Sequence, residues 1–164
     1  MQPQVWQTAL QAVLEELEAE TARAGWDQPA RLFGLVSSDL LLADEPALAA
    51  ELGLSPGTLT AIEQDGYDVE RPLDQMLPLI EWPEAVVGAA VVVERLVLPG
   101  DAEPAGPPGQ DPRAVDVRLV VGATRGGDEH CVVRVKGHDE LIRQSAGEHL
   151  VPGLGQALAR SLAP

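Results

Sequence analysis

Three stretches in the second half of the chain carry the strand signature of period two. Val115, Val117, Leu119, Val121 and Ala123 share one side of Val115–Ala123, with Asp116 and Arg118 on the other. Cys131, Val133 and Val135 repeat this within Glu129–Lys136, against His130, Arg134 and Lys136. Val86–Leu98 opens on a nearly continuous apolar run and closes on Glu94, Arg95 and Leu96-Val97-Leu98. It reads as a central strand buried on both faces over part of its length. Successive side chains of a strand point to opposite faces, so these patterns predict one antiparallel meander.

The turn between the last two strands can be read more closely. Matching their apolar faces requires paired residue numbers to sum to an even value. A sum of 254 pairs Ala123 with Cys131 and sets Arg125 opposite Glu129 across a Gly126-Gly127-Asp128 loop. A sum of 252 sets Arg118 against Arg134, which is the worse choice only if neither sees an acid. The expectation is 254.

The first half reads as helices and short strands. Pro3–Ala24 has Val5, Ala9, Leu10, Val13, Leu14 and Leu17 on one face, and Gln7, Gln11, Glu15 and Glu18 opposite, with Gly25 as a cap. Arg31–Val36 is a short strand. Ser37-Ser38 starts a helical turn, and Asp44 with Pro46 starts a helix with Leu48 and Leu52 on its buried side, closed by Gly53. Leu59–Gln64 alternates weakly, as an edge strand would. Pro72–Ile80 is a short helix interrupted by Pro78. Pro99–Pro112 is a Pro/Gly-rich loop, Glu140–Gln144 reads as a helical turn, and Pro152–Leu162 is a helix with Leu154, Ala157, Leu158 and Leu162 on one face. The expected fold is a single α+β domain over residues 1–164. Its sheet has about five mostly antiparallel strands, and the N- and C-terminal helices cover one face.

Charge divides the chain unevenly. Residues 1–84 hold 16 acids and three basic residues, a net of −13, while residues 85–164 hold 10 acids and eight basic residues, a net of −2. A total of −15 argues against nucleic acid and anionic membranes as partners. Arg118, Arg134 and Lys136 share the polar side of the last hairpin. They are candidate partner-binding residues, expected to pair with the acidic half in the same chain or in a second subunit. As outward-facing positions, they should tolerate charge reversal at small cost.

Catalytic motifs are missing. There is one cysteine, Cys131, on an apolar strand face, so neither a disulfide nor a thiolate metal cluster is expected within the chain. His130 and His138 are eight residues apart on one strand, about 26 Å at roughly 3.3 Å per residue, and cannot share a metal. A site built from His138, Asp139 and Asp116 is the one geometric option left for a carboxylate/histidine enzyme. No cofactor is expected. No signal segment opens the chain, and its longest apolar run, Ala85–Val93, is far short of the roughly 20 residues that span a bilayer. The expected compartment is the cytoplasm. Trp26 and Trp82 read as lids on the core.

The segments AGWDQPARLFGLV (24–36), IEWPEAVVGAAVVVERLVLP (80–99), DEHCVVRVKGHD (128–139) and LVPGLGQALARSLA (150–163) resemble an uncharacterised family of small acidic actinobacterial proteins. That resemblance brings no activity, so no catalytic residue is carried over. The functional expectation is a non-enzymatic protein-binding, adaptor or chaperone-like module, acting on another protein or on a second copy of itself. The alternatives are a hydrolase-type enzyme using the carboxylate/His138 site and an acidic mimic of nucleic acid.

Overall fold

A computed structural model describes residues 6–65, 72–97, 114–138, 141–145 and 153–163. The expected helix start at Pro3 and the 99–112 loop lie outside them. Helix α1 (Gln7–Ala24) leads to strand β1 (Arg31–Ser37), helices α2 (Ser38–Asp44) and α3 (Pro46–Leu52), and strand β2 (Leu59–Glu63). Helix α4 (Leu73–Met76) runs into a single 3-10 turn, Leu77–Leu79, that carries Pro78. Strands β3 (Val86–Val97), β4 (Val115–Thr124), β5 (Glu129–Val135) and β6 (Leu141–Ser145) follow, then helix α5 (Leu154–Ser161). The chain is a single α+β domain with one open sheet of six strands in the order β2-β1-β3-β4-β5-β6. Every neighbouring pair is antiparallel. The meander β3-β4-β5 is as the alternation predicted, and β2 is an edge strand.

Both faces of the sheet are apolar, and each has its own cover. Val91, Val93, Val117, Leu119, Val121, Ala123, Cys131 and Val133 face one way, under Leu154, Leu158 and Leu162 of the C-terminal segment and Met76 and Leu77. Phe33, Leu35, Ala90, Val92, Val120 and Val132 face the other way, under Trp6, Leu10, Val13, Leu14 and Leu17. The expectation that both terminal helices share one face is therefore corrected. A strand buried on both sides, as β3 is, leaves neither face free for water, so α1 and α5 must divide them.

Helix α1 comes down where the sheet is thinnest. A Cβ on Gly122 would lie 2.9 Å from Leu10 Cδ1 and from Leu14 Cδ2, so the missing side chain sets how close α1 packs. Gly88 of β3 is tighter still, because a Cβ there would stand 2.7 Å from the Ala123 carbonyl oxygen.

Three further expectations change. The β4–β5 register sums to 252: Val121 faces Cys131, Ala123 faces Glu129, and Arg118 faces Arg134. Thr124 N donates to Asp128 O at 2.9 Å, so the loop is Arg125-Gly126-Gly127, with Gly127 at φ 95°. The two registers differ by a relative slip of two residues, which keeps the same side chains on the same face, so the apolar pattern could not separate them. Leu141–Ser145 is strand β6, not a helical turn, because the free edge of β5 pairs with it from Arg134↔Leu141 to His130↔Ser145. In α3 the small Ala49 is buried, while Leu48 and Leu52 are 42% and 55% exposed. Gly53 closes α3 in the left-handed region, as expected.

Candidate functional site

The polar side of the β4–β5 hairpin faces α1, so two of the three candidate basic residues are covered. Arg118 is fully buried, and Arg134 is mostly buried. Both turn to Glu18 of α1: Arg118 Nη1 lies 3.6 Å from Glu18 Oε1, and Arg134 Nε donates to the same oxygen. Glu18 itself is fully buried, against the expectation that it lies on the polar face of α1. Two facing guanidinium groups supply the charge that keeps it there. Arg118 Nη2 also donates to Gly25 O at 2.6 Å, and its guanidinium lies 4.5 Å from the Trp26 ring centroid. Lys136 alone of the three is well exposed; its ammonium lies 5.7 Å from Trp26 and 3.9 Å from Asp116 Oδ2. Arg118 and Arg134 thus pair with Glu18 of the acidic half inside the chain, Lys136 faces Asp116 of its own half, and Arg118 is not available to a partner.

The turn after α1 is held over this cluster. Glu94 Oε1 accepts from Asp27 N at 2.9 Å and Glu94 Oε2 from Gln28 N at 2.8 Å. Asp27 takes φ 64°, a conformation that aspartate tolerates better than most residues. Trp26 is therefore a lid on a buried charge rather than on the apolar core. At the other end of α1, Asp128 Oδ2 accepts from Trp6 N at 3.0 Å and from Thr124 Oγ1 at 3.1 Å. The hairpin turn thus caps the helix that covers the hairpin.

His130 is buried on the α1 side of β5, across from Gly122 and Ser145. His138 is exposed, Asp116 is engaged by Lys136, and Asp139 lies outside the described residues. No group of three metal-ligating side chains converges among the described residues. Cys131 is buried on the α5 side, and burial pushes its thiol up to about 12.

Two concave sites among the described residues are candidates. A cleft of about 560 Å³ lies beside Trp82, Arg125, Ser161 and Leu162, with Glu81 and Glu84 among its lining residues. Its cation is spent on carbonyl groups. Arg125 donates to Val86 O at 2.7 Å, to Pro83 O at 3.2 Å and to Leu162 O. Trp82 Nε1 donates to Ser161 Oγ at 3.1 Å, and its ring packs on Gly34. The cleft is thus a joint between the start of β3 and the end of α5.

The second site is a groove of about 370 Å³ at the β2 edge of the sheet. Its floor is Phe33, Leu59 and Ala61. Val13 and Leu17 of α1 form one wall, and Leu52 and Leu54 the other, with Glu16 and Glu20 on the rim. Arg31 bonds to Glu20 of the rim. The guanidinium holds Glu63 in two bonds of 2.9 Å and Glu20 in one of 3.2 Å, which draws the Glu63 carboxyl below the usual range.

A family model for PPA1309-like protein matches residues 10–163. The chain belongs to that family. The family carries no established activity, and no curated protein and no solved structure matches the chain. In this member of the family, no described helix is long and apolar enough to cross a membrane.

Sequence reasoning missed Glu18, Arg125 and the groove. Glu18 is one acid among 26, and nothing local marks it as buried. Arg125 could have been suspected as a cation in a Gly-rich turn, but its carbonyl partners come from distant segments. The groove is formed by residues from α1, β1, α3 and β2, which no local pattern unites.

Proposed function

We propose that the chain is a non-enzymatic protein-binding module, of adaptor or chaperone-like type, that engages a protein partner at the β2 edge. The observation that carries this reading is the apolar groove of about 370 Å³ beside an edge strand, rimmed by Glu16 and Glu20. An apolar depression with a polar rim is the form of a docking site. The inward-turned charges support the same reading, since buried Glu18 and Arg118 pair with each other and the exposed Arg125 is spent on carbonyl groups of the chain itself. The encounter is assigned to the cytoplasm, which fits a chain with a single, buried cysteine.

The test compares affinity capture from native cells by the wild type and by Leu52→Asp, a change at an exposed groove wall. A captured protein is then identified, purified and mixed with each form. Binding to the wild type that Leu52→Asp weakens about tenfold or more supports the module reading. A partner that binds both forms alike refutes it.

A further inference from the structure

We infer that β2 accepts an extended, basic segment of another protein as an added strand, with that segment's apolar side chains filling the groove. The inference rests on the protein-binding reading and names its partner chemistry.

The backbone of β2 is used on one side. Gln64 N donates to Leu32 O at 2.8 Å, and Ser38 N donates to Thr58 O at 2.9 Å. In an antiparallel pair the bonded residues alternate, so Thr60 and Ile62 also turn their N–H and C=O toward β1, opposite Val36 and Gly34. Leu59, Ala61 and Glu63 turn theirs to the open side. No described residue bonds them there. The side chains of Leu59 and Ala61 face the groove. One row of residues thus offers both free backbone bonds and an apolar floor, the two requirements of strand addition.

Among the described residues the edge also carries little defence. Natural edge strands are blunted by shortness, charged side chains, proline, bulges or cover. Here the one charge, Glu63, is tied to Arg31. The sequence Leu59-Thr60-Ala61-Ile62-Glu63 has no proline, lysine or glycine, its pairing with β1 is unbroken, and Ile62 is 45% exposed.

Charge selects the occupant. Glu16 on the rim and Glu51 beside Leu52 are exposed and form no ion pair among the described residues. Residues 1–84 carry −13, from 16 acids and three basic residues. Two copies meeting edge to edge would bring the same acids together. A segment with valine, leucine or isoleucine at alternate positions and lysine or arginine at its flanks fits both groove and rim.

The probe is a fluorescein-labelled peptide of alternating valine and threonine flanked by lysines, titrated against the full chain by anisotropy. Three comparisons accompany it: the same peptide flanked by glutamates, the lysine peptide N-methylated at alternate backbone nitrogens, and the Ala61→Pro protein. Proline is tolerated on an edge strand when its nitrogen faces away from the sheet, so Ala61→Pro removes an outward donor and spares the β1 ladder. Saturable binding of the lysine peptide is expected, weakened about tenfold or more in each comparison. Amide exchange should slow at Leu59, Ala61 and Glu63. If Ala61→Pro melts well below the wild type, the N-methylated peptide and the exchange pattern carry the test alone. No binding, equal binding of lysine and glutamate peptides, or protection elsewhere overturns the inference. So does a wild-type dimer in sedimentation that Ala61→Pro dissolves, which would make the edge a self-interface. A purified partner that Leu52→Asp loses but Ala61→Pro retains would leave the module reading standing and remove strand addition.

Discussion

Arg118 and Arg134 stand directly opposite each other on β4 and β5. Two like charges in that position repel, and the arrangement holds because Glu18 descends from α1 between them. The same contact fixes the sheet register and the docking of the helix. Breaking a buried charge group by removing one partner costs about 3–5 kcal/mol, since the others stay buried and unpaired. Glu18→Gln should lower stability to that extent in urea unfolding. Arg118→Glu with Arg134→Glu should prevent folding, contrary to the small cost expected of outward positions. Replacing all three residues together by Leu or Met should leave stability within roughly 1 kcal/mol of the wild type or raise it. A triple variant as weak as Glu18→Gln would argue against this account.

The two close glycines should differ. At Gly122 an added methyl meets the ends of Leu10 and Leu14, which can turn aside, whereas at Gly88 it meets a backbone carbonyl oxygen. Gly122→Ala should cost about 1–3 kcal/mol, and Gly88→Ala more. Thermal melts of the two variants give the order directly, and the reverse order would contradict the packing described.

Arg125 ties the β4–β5 turn to the end of α5 and the start of β3. Hydrogen bonds from a charged donor are worth about 1.5–3 kcal/mol each at most, and their loss here is local. Arg125→Met should speed amide exchange in α5 more than in α1. Equal protection in both helices would show that the clamp is not what holds α5.

Cys131 gives a pH prediction. Its folded-state thiol is pushed up to about 12 by burial, while an unfolded cysteine titrates near 8.5. A raised value means that the contribution to stability is whole below about 8.5 and is lost as pH rises toward about 12. Denaturation midpoints should fall over that interval, and less so in Cys131→Ala. A thiol reagent at neutral pH should label the native protein slowly and the unfolded protein at once.

Glu63 gives the opposite sign. Its carboxyl is held below the usual range by the Arg31 hydrogen bonds. That contribution is present above the ordinary glutamate value of about 4.3 and is lost as pH falls through the lower folded value. Because Glu63 is partly exposed, the effect is about 0.5 kcal/mol or less. The melting difference between wild type and Glu63→Gln should be constant from neutral pH to mild acid, then shrink.

The sequence by itself determined that Val115–Ala123 and Glu129–Val135 lie in strands and which of their side chains share a face, but not that Leu141–Ser145 is a strand. Period two in Val115–Ala123 and the apolar run of Val86–Leu98 are local facts, and they bury the residues they indicate. It determined the glycine stops in the same way, since Gly25 and Gly53 end helices for reasons confined to a few residues, but not the start of α3, where Glu45 rather than Asp44 is the cap residue before Pro46. Only the tertiary structure decided the register, the division of helices between the two faces and the burial of Glu18. Parity is unchanged when one strand slips past the other by two residues, so alternation assigns faces but not partners. An acid at the border of the apolar stripe of α1 reads as solvated until the two arginines beneath it are in place. The edge groove belongs to the same class: Leu17, Phe33, Leu52 and Leu59 are ordinary core candidates one by one, and only their assembly around an unpaired strand makes a site.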